Sequence, residues 1–113
     1  MLRPFSPVQQ LAAVDIGSKA VRMVLGNFNC EGHLQIQQRW RAFLSLGASV
    51  FRDQSIPTDQ ILALQQILQS FQNALPQDTP WSISATSAFR EAKNRDEAQN
   101  KLAKQGFQIR VLT

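Results

Sequence analysis

Two short polar segments contain the residue types that could bind a phosphate. The first reads Asp15-Ile16-Gly17-Ser18-Lys19-Ala20-Val21-Arg22 and lies between two apolar runs. Its small residues would let backbone amides approach a phosphate closely, and its aspartate could hold a metal-bound water. The same residues also make a good hairpin turn, so both interpretations stay open on this segment alone.

The second segment is rich in hydroxyls and small residues. It reads Ala85-Thr86-Ser87-Ala88-Phe89-Arg90-Glu91-Ala92-Lys93-Asn94-Arg95-Asp96-Glu97 and follows a predicted strand. Its hydroxyls, its free amides and Arg90 suit an anion at the end of that strand. The alternative for Arg90 is a solvated side chain that pairs with Glu91 or Asp96.

The apolar pattern predicts the elements that position these segments. Residues 11–15 and 21–28 predict two strands joined by a tight turn, and residues 33–46 predict a third strand. Thr58 is expected to cap a helix with apolar residues at three- and four-residue spacing. Residues 81–85 alternate and predict a fourth strand.

The last part of the chain predicts a second helix and a fifth strand. Asn94 and Glu97 have the spacing of a capping box, which predicts a helix over about 95–105, and Gly106 would end it. Residues 107–111 alternate as a strand does. The order β-β-β-α-β-α-β predicts the α/β class, with a mixed sheet that combines a meander and parallel strands.

The composition restricts the kinds of ligand and the cellular location that we expect. The chain has 113 residues, 43% of them hydrophobic, and a formal net charge of +4, which suits one modest core and favours anionic ligands. No basic cluster is interleaved with aromatics, which argues against nucleic acid. We find no signal peptide and no membrane span, and the single Cys30 has no partner for a disulfide, so we expect a cytoplasmic protein.

Several conspicuous residues are assigned structural roles. His33 has no second histidine or cysteine at ligand spacing, which argues against a metal site. Trp40, Phe43 and Phe51 are predicted to pack in the core rather than to stack on bases. The lysines of the second predicted helix are expected to be solvated.

Together the two segments resemble the signatures of the Ppx/GppA phosphatase family, the exopolyphosphatases and guanosine pentaphosphate phosphatases. The second is similar to the family pattern Ala-Thr-Ser-Ala-x-Arg-x-Ala-x-Asn-Arg, and the resemblance extends through Leu46-Gly47 to residues 109–112. It implies a ribonuclease H-like half-domain of the actin and sugar-kinase superfamily. Residues 1–113 would be a single N-terminal domain, cut off before the family's catalytic glutamate.

The resemblance also implies an activity for the full-length parent and roles for individual residues. The parent would hydrolyse terminal phosphoanhydride bonds of polyphosphate or guanosine pentaphosphate with Mg²⁺, using a glutamate beyond Thr113 to activate water. No catalytic residue would lie in this chain, which alone would be inactive. Asp15 would belong to the metal shell. The phosphate-binding residues would be Gly17, Ser18, Lys19, Arg22, Thr86, Ser87 and Arg90.

Two departures from the family pattern keep a second function open. Lys19-Ala20 stands where the family has Asn-Ser, and Ser45-Leu46-Gly47-Ala48-Ser49 stands where it has Arg-Leu-Gly-Glu-Gly. A lysine lacks the fork geometry of an arginine. The alternative is a non-catalytic regulatory module that binds polyphosphate or guanosine tetraphosphate. The exposed last strand also leaves a homodimer open.

Overall fold

A computed structural model of the chain describes residues 9–29 and 31–112. Its elements in chain order are β1 (Gln9–Ile16), β2 (Ala20–Phe28), β3 (Leu34–Phe43), α1 (Leu46–Asp53), α2 (Thr58–Ala74), β4 (Trp81–Ala85), α3 (Ser87–Glu91), α4 (Arg95–Lys104) and β5 (Ile109–Val111). Cys30, which was predicted to have no disulfide partner, lies outside the described residues. Within the described ranges, no helix has the length and apolar character that crossing a membrane requires.

The five strands form one mixed sheet in the order β3-β2-β1-β4-β5. Strands β1, β2 and β3 are antiparallel neighbours and form a meander. Strand β4 is parallel to β1 and follows β3 through α1 and α2, and β5 is parallel to β4 and follows it through α3 and α4. The predicted α/β class and mixed sheet are confirmed.

The hydrophobic core lies on one face of this sheet. Ala12, Val14 and Ile16 of β1 are at most 3% exposed and point to that face. The predicted apolar stripe of α2 covers them, and α4 contributes Leu102, which is fully buried. Because alternate residues of a strand point to opposite faces, the intervening side chains of β1, β2 and β4 lie on the other face. No described helix covers that face.

Helices α1 and α3 were not predicted. The observed order is therefore β-β-β-α-α-β-α-α-β, and the predicted order β-β-β-α-β-α-β was wrong in lacking them. Helix α1 has eight residues and α3 has five, which is too short for a helical period to show in the sequence. The two helices pack against each other beside the ends of β1 and β4.

The predicted helix starts also need correction. Thr58 is the first residue of α2 rather than its cap; the cap position is Pro57, which forms no side-chain cap hydrogen bond. Asn94 does occupy the cap position of α4, but the predicted capping box does not form. Glu97 pairs instead with Lys101 one turn later, at 3.1 Å.

The end of the chain agrees with the prediction more closely. Gly106 has a φ of +94°, the left-handed conformation expected after a helix. Strand β5 begins at Ile109 rather than at residue 107, which shortens the predicted strand. Phe107 is nevertheless 1% exposed and packs edge-on against Trp81, with ring centroids 6.0 Å apart.

Candidate functional site

The two polar segments lie side by side at one edge of the sheet. Ile16 of β1 pairs with Ala85 of β4, and because these strands are parallel, their carboxyl ends coincide. The backbone N–H of Thr86 donates to the carbonyl of Ile16 at 3.3 Å. The turn that follows β1 and the segment that follows β4 therefore begin next to each other, the usual place for a ligand in an α/β sheet.

Helix α1 begins against the first segment. The N–H of Gly47 donates to the carbonyl of Ser18 at 2.8 Å, and the N–H of Leu44 donates to the carbonyl of Lys19 at 3.0 Å. A Cβ added to Gly47 would lie 2.8 Å from the Cβ of Ser18, closer than side-chain atoms pack. Position 47 therefore requires glycine for this approach to the turn.

The other end of α1 is attached to the second segment. Gln54 ends the helix in the left-handed conformation, with a φ of 60°, and its carbonyl accepts a hydrogen bond from the N–H of Lys93 at 2.9 Å. The side chain of Asn94 forms two hydrogen bonds with the backbone of Ile56. Helix α1 thus connects the two polar segments.

A pocket of about 450 Å³ lies where the turn, α1 and α3 meet. It is lined by Ser18, Gly47, Val50, Phe51, Gln54, Ser87, Ala88 and Glu91. The structure therefore brings together two of the predicted phosphate-binding residues, the hydroxyls Ser18 and Ser87. Glu91 also lines the pocket, although it was not predicted to belong to the site.

Asp15 and Arg22 lie at the same edge of the sheet but outside this pocket. They are direct cross-strand partners in β1 and β2, and Ser84 of β4 is the other neighbour of Asp15. The side chains of Asp15 and Arg22 are exposed on the face that no described helix covers. The predicted metal ligand and one predicted phosphate ligand are thus close to each other and separate from the two serines.

The two other residues predicted to bring positive charge, Arg90 and Lys19, lie on two further segments near this edge. Arg90 of α3 donates from Nη1 to the carbonyl of Leu112, just after β5, at 3.0 Å. The carbonyl of Arg90 accepts a hydrogen bond from the guanidinium of Arg95, also at 3.0 Å. Lys19 is exposed in the turn after β1. These positions put positive charge around the pocket rather than in its lining.

The described residues contain no cluster of three histidine, cysteine or acidic side chains that could hold a metal ion. Asp15 is therefore a single carboxylate. That fits Mg²⁺, which often binds one or two carboxylates and takes its remaining ligands from waters and phosphates. It does not fit a metal that needs a closed set of protein ligands.

Helix α1 carries one more cation, but a neighbouring carboxylate binds it. The Arg52 guanidinium donates three hydrogen bonds to the carboxylate of Asp53, at 3.0 to 3.2 Å. These hydrogen bonds lower the pKa of the exposed Asp53 carboxyl, which stays ionised and paired. Arg52 is thereby directed to its neighbour and not to the pocket.

The prediction that three aromatic residues pack in the core was wrong for two of them. Trp40 is half-buried and packs against the core. Phe43 is 77% exposed and Phe51 is 90% exposed. The ring of Phe43 lies 5.0 Å from the guanidinium carbon of Arg41, a cation–π contact at the edge of the sheet.

Besides Glu91, the structural roles of Gly47 and Asn94 at this site were not identified from the sequence. Gly47 was part of the family resemblance but had no assigned role, since its close contact with Ser18 depends on an unpredicted helix. Asn94 was predicted to be a cap because asparagine before a helix usually is one. No pattern in the sequence points to its bond with Ile56, which is 38 residues away.

Solved structures include close matches to this fold. A Ppx/GppA family member from Aquifex aeolicus is 27% identical, with a TM-score of 0.86 over 95% of this chain. A type II variant structure of the Aquifex aeolicus Ppx/GppA phosphatase, also 27% identical, has a TM-score of 0.84. An exopolyphosphatase from Cytophaga hutchinsonii is 14% identical with a TM-score of 0.78, a likeness of fold alone.

These matches confirm the predicted resemblance and the ribonuclease H-like fold of the actin-like superfamily. The matched region is the N-terminal part of those proteins, and this chain spans 36% of the length of the two Aquifex aeolicus structures. No protein-family model matches the sequence, and no curated protein matches it.

Proposed function

We propose that this chain, a structural relative of the N-terminal part of Ppx/GppA family proteins, is the phosphate-binding domain of a phosphoanhydride hydrolase. Residues 1–113 would form a single domain that acts on terminal phosphates of polyphosphate or guanosine pentaphosphate within the full-length parent. One observation carries the proposal: both signature segments meet at the carboxyl ends of β1 and β4, and α1 joins them.

The chemistry of this edge suits a phosphate chain. Phosphoryl transfer needs spread negative charge to be neutralised, with little covalent work left to the protein. The backbone amide of Ser18 and the hydroxyl of Ser87 would donate hydrogen bonds to phosphate oxygens. Gly17, whose own N–H donates to the Ala20 carbonyl at 2.9 Å, would let the phosphate approach the turn closely because it has no side chain. Lys19, Arg22 and Arg90 would supply positive charge from three different elements, and Thr86 would complete the second segment.

Asp15 would hold Mg²⁺, which supplies neutralising charge to the phosphate oxygens when bound. Asp15 is the direct cross-strand partner of Arg22, so a cation and a phosphate ligand would be adjacent at this edge. The water-activating glutamate that the family resemblance implies is not among these residues. We therefore expect this chain to bind phosphates without hydrolysing them.

Calorimetric titration tests this proposal. The 113-residue chain is titrated with short polyphosphate and with guanosine tetraphosphate, each with and without Mg²⁺. Saturable binding should weaken at least about tenfold in Arg90→Ala. Arg52→Ala is the matched control, because Arg52 is bound to Asp53 and should leave affinity unchanged. Equal affinities of both variants and the parent chain would contradict the proposal.

The departures from the family pattern favour the alternative of a non-catalytic regulatory module. Lys19-Ala20 and Ser45 stand where the family has Asn-Ser and an arginine, in segments that adjoin the pocket. Such a module would bind guanosine tetraphosphate or polyphosphate as a signal. Binding that persists in the full-length parent without release of phosphate would favour this function.

Self-association and location remain proposals as well. Within the described residues β5 pairs only with β4, so the other edge of β5 could pair with a second copy. Sedimentation velocity over a range of concentrations tests for this dimer, and a monomer throughout would exclude it. Cytoplasmic location stays a prediction that imaging of a tagged chain would test.

A further inference from the structure

The pocket between α1 and α3 is a groove whose two ends differ in chemistry. Four residues along α1 and at its end line it at three- and four-residue spacing, which puts them on one side of the helix: Gly47, Val50, Phe51 and Gln54. Gly47 lies against Ser18, and Gln54 is about 10 Å further along the helix axis. The groove therefore extends from the proposed phosphate-binding turn to the far end of α1.

Helix α3 forms the other wall and points the same way. Ser87 lines the groove at the start of α3, and Glu91 lines it about 6 Å further along the helix axis. The hydrogen bond from the Lys93 N–H to the Gln54 carbonyl, at 2.9 Å, joins the far ends of the two helices. Ser18 and Ser87 are thus at the near end of the groove, and Glu91 is toward its far end.

The far end of the groove has an aromatic residue, an amide and an acid. Phe51 is 90% exposed, so its side chain contributes little to the core. The backbone of Gln54 is fixed by hydrogen bonds to Val50 and Lys93, while the residue as a whole is exposed. The ion pairs found among the described residues do not include Glu91. These three residues have no evident part in holding the fold together.

This combination of residue types suits a nucleobase. An aromatic ring stacks on any base, because every base has a π face. A carboxylate only accepts hydrogen bonds, and the Watson–Crick edge of guanine has two neighbouring groups that donate them, where that of adenine has one. An inorganic phosphate chain has neither a ring to stack on Phe51 nor an N–H to donate to Glu91.

We propose that the far end of the groove is a nucleobase subsite, in which Phe51 stacks on the base and Glu91 selects guanine over adenine. The ligand is a guanosine polyphosphate whose phosphates lie at Ser18 and Ser87. The inference rests on the proposed function, because the phosphates hold the nucleotide at the near end. The volume of about 450 Å³ is within the range usual for pockets that bind small molecules.

Calorimetric titration with three triphosphates tests the subsite. The 113-residue chain is titrated with guanosine triphosphate, adenosine triphosphate and inorganic tripolyphosphate, each with Mg²⁺. Guanosine triphosphate should bind at least about tenfold more tightly than tripolyphosphate, because stacking of the base adds to the phosphate contacts. Adenosine triphosphate should have an intermediate affinity, since it stacks but donates one hydrogen bond fewer.

The variant Phe51→Ala tests the stacking. It should weaken the binding of both nucleotides at least about fivefold and leave the affinity for tripolyphosphate unchanged. The matched control is Phe28→Ala, which removes an exposed phenylalanine at the opposite end of β2 and should change none of the three affinities. Circular dichroism checks that both variants are folded.

The variant Glu91→Gln tests the selection of guanine. The readout is the ratio of the affinities for the two nucleotides, because the loss of one negative charge affects both triphosphates alike. The ratio should fall to about one, since a glutamine amide accepts fewer hydrogen bonds than a carboxylate. Glu97→Gln on α4 is the control with the same chemical change, and it should leave the ratio unchanged.

The failure of this inference differs from the failure of the proposed function. Equal affinities for guanosine triphosphate and tripolyphosphate, or nucleotide binding that Phe51→Ala leaves intact, would overturn the nucleobase subsite alone. A preference for guanine that survives Glu91→Gln would overturn the role of Glu91. If none of the three triphosphates gave saturable binding, the proposed function would fail and the subsite with it.

Discussion

The side-chain amide of Asn94 forms a reciprocal pair of hydrogen bonds with the backbone of Ile56. Its Nδ2 donates to the Ile56 carbonyl at 2.9 Å, and its Oδ1 accepts from the Ile56 N–H at 2.9 Å. Ile56 is only 2% exposed, so water has little access to this backbone. The pair fixes the segment after α1 to the start of α4, and thereby one side of the pocket.

We expect Asn94→Ala to lower the free energy of unfolding by about 2 kcal/mol, because it leaves a buried N–H and a buried carbonyl without partners. Asn100→Ala is the matched control on an exposed position of α4 and should change stability by less than about 0.5 kcal/mol. Urea denaturation of both variants gives the comparison. Equal stabilities would show that the Asn94 bonds contribute nothing.

The contact between Gly47 and Ser18 predicts a second effect on stability. Gly47→Ala should destabilise the chain by about 1 to 3 kcal/mol, although alanine is the better helix former, because its Cβ would collide with Ser18. The double variant Gly47→Ala with Ser18→Gly removes the atom that is hit. Denaturant unfolding should show that the second substitution recovers stability, and strictly additive effects would contradict this account.

The exposure of the Phe51 side chain can be tested by comparing it with the buried Phe89. Phe51 is 90% exposed on α1, whereas Phe89 is 1% exposed on α3. Phe51→Ala should change the free energy of unfolding by less than about 0.5 kcal/mol, and Phe89→Ala should lower it by about 3 to 5 kcal/mol. A large loss in the Phe51 variant would mean that its ring is buried after all.

The fit of Asp15 to Mg²⁺ predicts a specific change in ion dependence. If its carboxylate holds the ion, Mg²⁺ should strengthen binding of short polyphosphate to the unmodified chain, and Asp15→Asn should remove that enhancement while leaving metal-free binding intact or stronger. Asp59→Asn, on an exposed acid at the start of α2, is the control. The proposed role of Asp15 fails if calorimetry shows the same Mg²⁺ effect in both variants.

The strands and the main helix could be predicted because their apolar residues repeat with a clear period. Residues 81–85 alternate, and the stripe of α2 repeats over 17 residues. The meeting of the two polar segments was expected only from the family resemblance, and the structure gives its cause, since parallel strands place their carboxyl ends together. The periods of the strands and of α2 are visible within short stretches of the sequence.

Other parts depend on contacts between distant residues. Helices α1 and α3 are stabilised by packing against each other, which no short window of sequence reveals. Asn94 precedes a helix, as a cap does, but its amide binds Ile56 instead. The exposure of Phe43 and Phe51 is likewise set by where the sheet and α1 end, and not by the residue type.

The most direct test of the central claim is to map polyphosphate binding on the backbone amides by nuclear magnetic resonance. If both segments form one phosphate site, titration of the ¹⁵N-labelled chain with short polyphosphate should shift the amides of Gly17, Ser18, Thr86 and Ser87 together, with a single affinity. The exposed lysines of α4 serve as the internal reference for nonspecific attraction. Shifts confined to α4, or shifts of one segment without the other, would contradict the proposed site.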